Sequence, residues 1–205
     1  INTLGHAAGV IVFGIFLALL LRQRSAESLR RNRLPVIAAA LALFWNLSSI
    51  VVLAPGLDET LVKPLFAALG FSVLSALPAV LLHLSFEGRF RACIVAGYAL
   101  SAASTVLHLA ELVYFEVSLH VSGLSVITIG FSLLTLFTAA LSFSEKSEQR
   151  RSILSRALAA MGLILLSASF AHFADSHTDN AWPAELVFHH AGIPLALFII
   201  LQNQR

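Results

Sequence analysis

Charge is what this sequence has least of. Only 12% of its 205 residues are Asp, Glu, Lys or Arg, against roughly a quarter in a soluble domain. Hydrophobic residues make up 58%, and they fall in long runs, so the bilayer is the expected solvent. Cysteine occurs once, at Cys93, so no internal disulfide is available. Lysine occurs only as Lys63 and Lys146. Neither lies in the last apolar run, so a retinal Schiff base of the rhodopsin kind has no anchor. No Gly-rich phosphate loop and no Gly-x-Ser-x-Gly elbow is present. The sequence shows no repeat, no low-complexity tract and no soluble domain.

What is present is a series of apolar runs. A spanning helix needs about 20 mostly apolar residues. Inside lipid every backbone polar group must be satisfied within the segment, so such runs become helices. Seven are expected: Thr3–Leu21, Leu34–Ala54, Pro64–Phe86, Ala92–Phe115, Val121–Phe143, Ile153–Ala174 and Glu185–Leu201. The first is read as a retained helix rather than a signal peptide, because its basic block follows it instead of preceding it. Pro78 falls inside the third span and Pro194 inside the seventh, each a point of expected kinking.

The connections orient the bundle. Arg22, Arg24, Arg30, Arg31, Arg33, Arg89, Arg91, Lys146, Arg150, Arg151, Arg156 and Arg205 fall on one side, and Lys63 on the other. By the positive-inside rule the N-terminus is outside and the C-terminus cytoplasmic. The basic residues lie in short loops between spans, which points to membrane topology and away from nucleic acid. The reading is one all-α membrane domain over residues 1–205, a seven-transmembrane-helix bundle. The outer loop Asp175–Ala184 is its best candidate for a small lid.

Eight histidines in so apolar a chain call for an explanation, since ionisable residues within spans are costly and mark function by default. His6, His108, His172, His189 and His190 all fall in a slab under the outer surface. His83 sits alone near the inner end, and His120 and His177 are read as solvated loop residues. Neutral imidazole binds zinc, copper and iron alike. The neighbours of these histidines are small, as in Gly5-His6-Ala7-Ala8-Gly9, which clears space for a flat cofactor or permits close helix packing. Glu111 follows His108 by three residues and Asp175 follows His172 by three, placing each pair on one helix face. Such carboxylates serve as metal ligands or as partners that orient a ligating histidine. Asn46, beside Trp45 in the second span, is a further polar group, expected to donate a hydrogen bond into the bundle.

One comparison fails at its most specific point. Seven-helix zinc amidases of the ceramidase and adiponectin-receptor type space two last-helix histidines by four, whereas His189 and His190 are adjacent. A different resemblance holds at the two ends of the chain. Phe188-His189-His190-Ala191-Gly192-Ile193-Pro194-Leu195-Ala196-Leu197-Phe198 resembles the last helix of seven-helix sensor regions in bacterial membrane histidine kinases. Gly5-His6-Ala7-Ala8-Gly9-Val10-Ile11-Val12-Phe13-Gly14 is similar to their first helix. The resemblance implies an input domain of the bacterial inner membrane whose last helix continues into a cytoplasmic histidine-kinase module. Such sensors are often homodimers. The phospho-accepting and nucleotide-binding motifs of a kinase are absent from this chain.

Three functional readings follow. The first is a sensory module binding haem b through one or two of His6, His108, His172, His189 and His190, and signalling through the seventh helix. The second is an intramembrane hydrolase using zinc or a metal pair held by His108, Glu111, His172, Asp175 and His190. The third is a cofactor-free pH or ligand receptor in which the histidines titrate.

Overall fold

A computed structural model describes residues 2–22, 33–58, 60–86, 89–114, 119–173 and 194–196, the side chains of 163–173 excepted. It is all-helical, and among the described residues there is no strand. Among the described residues six long helices follow in order: α1 (Asn2–Arg22), α2 (Arg33–Leu53), α3 (Val62–Phe86), α4 (Arg91–Ala110), α5 (Leu119–Ser144) and α6 (Glu148–Phe173). The first five are long and apolar enough to cross a membrane. Their outward faces carry Ile11, Ile15, Leu133, Phe137 and other large apolar side chains, as lipid-facing surfaces require.

Helix α3 is the axis of the bundle, packed against α2, α4 and α6. On one side Leu77, Val80, Leu81 and Leu84 meet Phe13 of α1, Ala38, Ala42 and Trp45 of α2, and Ala160 of α6. On the other, Ala79, Leu82 and Phe86 meet Cys93 and Ile94 of α4, Ile127 and Phe131 of α5, and Ile153, Leu154, Ala157 and Met161 of α6. Pro78 lies inside α3 and removes the N–H that would reach the carbonyl one turn back. The Ser101 hydroxyl of α4 donates to the neighbouring Ser75 carbonyl at 2.6 Å, so the turn disturbed by proline is tied to the next helix.

The buried positions of α4 include Ile94, Gly97, Ser101, Ser104 and His108, a repeat of three and four residues that keeps one seam facing the bundle. Along that seam the chemistry changes from apolar to polar. The α4 entry is a tight turn at Phe90, in the left-handed region at φ 52°. Its ring packs on Phe86 at 5.2 Å between centroids.

Three helix ends differ from the expectation. Helix α5 begins at Leu119 rather than Val121, which brings His120 into its first turn. Helix α4 stops at Ala110 rather than continuing to Phe115, because Glu111 is used at the helix end instead of being buried. Helix α6 begins at Glu148 rather than Ile153, since polar residues extend a helix beyond its apolar run. The expected seventh span lies outside the described residues except for 194–196, which are helical. Ala196 is fully buried in the first core cluster. The Asp175–Ala184 loop also lies outside the described residues.

Candidate functional site

The polar end of the α4 seam meets Phe71 and Ser75, in the third and fourth turns of α3, and the first turn of α5. His108, only 1% exposed, is the hub. Its Nδ1 lies 3.2 Å from His120 Nδ1. Its Nε2 lies 3.2 Å from Ser75 Oγ and 3.2 Å from Ser104 Oγ. Ser75 and Ser104 are themselves 3.0 Å apart. Gly123 of α5 closes the nitrogen-bearing edge of the ring, where a Cβ would sit 2.8 Å from Cε1. Only glycine allows that approach.

His120 is not a solvated loop residue. It lies in the first turn of α5 and is half-buried. It meets the Phe71 ring edge-on at 4.1 Å. Its backbone N–H donates to the Glu111 carboxylate. Glu111 therefore sits just past the end of α4 and satisfies an orphan donor at the start of α5. A carboxylate at a helix N-terminus is stabilised by the unpaired N–H groups there. His108 and Glu111 do share one side, as their spacing predicts. With His120, Phe71, Pro64 and Ala67 they line a cavity of about 320 Å³, at the small end of the usual range of ligand pockets.

The hydrogen-bond inventory assigns protons. The Ser104 hydroxyl donates to the Gly123 carbonyl at 2.8 Å, so its oxygen can only accept from Ser75 and His108. All three contacts among Ser75, Ser104 and His108 are then satisfied only when His108 carries its proton on Nε2. Its Nδ1 is a lone pair, and His120 must donate to it through Nδ1–H. A proton added to His120 Nε2 keeps this contact and makes it charge-assisted. A proton added to His108 Nδ1 sets N–H against N–H and breaks it. The pair thus accommodates one positive charge and is opened by a second.

A second polar node lies between α1 and α2. His6, 4% exposed, meets Asn46, 2% exposed, with Nδ1 to Oδ1 at 3.1 Å. Asn46 donates its amide to the Ala42 carbonyl at 2.8 Å, so its oxygen accepts and His6 carries the proton on Nδ1. Asn46 therefore does not donate into the bundle as expected: across the helices its oxygen accepts, and its amide is used on its own helix. Trp45 meets the His6 ring edge-on at 5.1 Å. The lone pair of neutral His6 is on Nε2, the pattern of a histidine oriented by one nitrogen to coordinate through the other.

The histidine slab therefore divides. The described partners of His6 lie on α2, and those of His108 on α3, α4 and α5. His172 falls in the last turn of α6, with its side chain outside the described residues, as are Asp175, His177, His189 and His190. His83 sits far along α3, its Nδ1 3.2 Å from the Tyr98 hydroxyl. Among the described residues no three His, Cys, Asp or Glu side chains gather as a metal-binding group. His120 was missed in the sequence because hydropathy assigns it to a loop. The available signal was Gly123, a small residue one turn after a histidine at the depth of His108. No family model, curated protein or solved structure matches the chain.

Proposed function

We propose that this chain is the membrane-embedded receptor of a sensory protein, read out through the His108–His120 pair. In this reading it is a seven-helix bundle of the bacterial inner membrane, N-terminus outside and C-terminus cytoplasmic. Basic residues at the shared end of α1, α2, α3, α4, α5 and α6, and the burial of Ala196 against the core, support that topology. The site then faces outward, and the seventh helix carries the signal to a cytoplasmic kinase module.

The observation that carries the reading is the 3.2 Å contact between two imidazoles on different helices, joined to Glu111 at the α5 N-terminus. Histidine is the side chain whose ordinary titration spans physiological pH. The pair has two states: joined when it holds at most one extra proton, and open when both rings are charged. Opening releases His120 and the start of α5, and α5 packs directly on α6. A stimulus that changes the proton inventory of the pair thereby biases the bundle.

Spin labels at Leu61 and Val121, both exposed, report this directly in nanodiscs. Their separation is expected to change between about pH 8 and about pH 5 in wild type, and not in His120→Gln. An unchanged distance in wild type would defeat the reading.

The His6 node favours a second reading, a haem b sensor. His6, its ring oriented by the Nδ1–H donated to Asn46, would be the residue that holds the haem, with His172, His189 or His190 expected from the sequence as the other ligand. A Soret band that shifts on reduction and disappears in His6→Ala is the expected signature. Protein that is colourless after growth with ample haem rules it out.

A further inference from the structure

We propose that the cavity beside the histidine pair is a binding site for a small organic cation, a primary ammonium with a short apolar body. This rests on the sensory reading and names the ligand class of the same site.

The walls are apolar. Pro64 comes from the first turn of α3, Ala67 from its second, Phe71 from its third, and Leu112 from beyond α4. Into this lining project one carboxylate and two imidazoles, those of Glu111, His108 and His120. No lysine or arginine lines the cavity among the described residues, and Lys63 stands just before Pro64 on the α3 side. With neutral imidazoles the lining carries one negative charge. The bond from the His120 N–H uses one of about four lone-pair positions on the Glu111 carboxylate. The rest can accept from a cation.

An ammonium with three N–H donors satisfies the remaining lone pairs of the Glu111 carboxylate, whereas a quaternary ammonium has no N–H to offer. Phe71 supplies an aromatic wall suited to a cation. The volume of about 320 Å³ equals about ten water molecules, which sets the size of the ligand. An anionic molecule would be repelled by the Glu111 carboxylate, and a neutral one would leave its charge balanced only by the N-terminus of α5.

The free amine and the phosphatidylethanolamine headgroup share this chemistry. The test uses the chain in phosphatidylglycerol nanodiscs at about pH 8, with calorimetric titration of n-butylammonium, tetramethylammonium and n-butanol. Saturable binding is expected for n-butylammonium, weaker binding for tetramethylammonium, and none for n-butanol. Glu111→Gln keeps an oxygen for the His120 N–H and should weaken n-butylammonium by at least about tenfold. Ala67→Leu should exclude it by filling the cavity with Glu111 intact. Phosphatidylethanolamine in the disc identifies the headgroup as the source if it competes, and free amine as the source if it does not. Equal binding of n-butanol, or undiminished binding by Glu111→Gln, overturns the site. Absence of amine binding in samples whose Leu61–Val121 separation still responds to pH overturns the cation site alone.

Discussion

His108 and His120 face one another Nδ1 to Nδ1 at 3.2 Å, although they belong to different helices and to opposite sides of the α4–α5 turn. One nitrogen must donate and the other accept, so the pair holds a single shared proton. The serines on the far side of His108 decide which ring owns it. A surface contact between two histidines would have no such constraint. Here the ring of His108 is almost wholly enclosed, and its protonation is tied to the backbone of α5 through Ser104 and Gly123.

Nitrogen-15 spectra of histidine-labelled protein check the assignment. At high pH His108 is expected as the Nε2–H tautomer and His120 as the Nδ1–H tautomer. On acidification the two should titrate as a coupled pair in two steps. A His108 spectrum showing Nδ1–H would reverse the network and remove the basis for the two-state pair.

Gly123→Ala attacks the same hub from α5. Its Cβ would stand 2.8 Å from Cε1 and 3.1 Å from Nε2 of a ring already held by Ser75 and Ser104. The ring cannot yield without losing those bonds. The expected cost is about 1–3 kcal/mol, the range for overpacking a filled site, together with loss of the pH response. Gly14→Ala is the control, since among the described residues nothing lies within 4 Å of its added methyl. Denaturation in mixed micelles compares them, and a Gly123→Ala protein as stable as Gly14→Ala would contradict the packing argument.

The His6 node predicts coupling between two substitutions. Asn46→Ala leaves the buried His6 Nδ1–H without its acceptor, at about 1–3 kcal/mol. Gly9→Ala places a methyl into the Asn46 side chain. In the double variant that collision is gone, so its cost should fall well short of the sum of the two single costs. Strict additivity would show that Gly9 and Asn46 do not meet.

These sites also show what sequence could and could not reveal. The helices were legible because an apolar run in lipid has no other way to satisfy its backbone. Their ends were legible only where hydropathy and helix ended together. At Glu111 they do not, because a carboxylate leaves α4 to cap α5. At Glu148 they do not, because charged residues prolong α6. Asn46 was recognisable as a polar group in a span. Its partner was not, because that depends on how α1 is rotated against α2. The pairing of His108 with His120 required both the early start of α5 and the absence of a side chain at Gly123. Hydropathy is blind to the first, and the second has meaning only once the helices are set side by side.

Ser48 tests the packing between α2 and α3. Its hydroxyl is buried and has no hydrogen-bond partner among the described residues, while its Cβ lies 3.1 Å from where a Cβ on Gly70 would be. Ser48→Ala removes an unsatisfied polar atom without changing shape, and a gain of about 1 kcal/mol is expected. Gly70→Ala crowds the same contact and should destabilise. A loss of stability in Ser48→Ala would mean that the hydroxyl has a partner.

Asp58 separates the histidine response from ordinary acid effects. Its carboxylate accepts from the Thr60 hydroxyl at 2.6 Å, the Thr60 N–H at 2.7 Å and the Leu61 N–H at 3.3 Å, fixing the turn that leads into α3. These bonds, the Thr60 hydroxyl foremost, hold the Asp58 carboxyl below its ordinary range. Unfolded aspartate titrates near about 3.9. A depressed folded value means that the contribution is complete above that pH and is lost only as pH falls through the lower, folded one. Amide exchange at Thr60 and Leu61, corrected for intrinsic rates, should therefore stay constant from about pH 8 to about pH 5, and slacken only in stronger acid. Asp58→Asn, which keeps an acceptor but cannot titrate, should show no acid step. If Thr60 and Leu61 instead loosen together with the Leu61–Val121 distance change, the turn before α3 is moving with the pair. If they hold while that distance changes, the motion belongs to the start of α5, where the joined histidines place it.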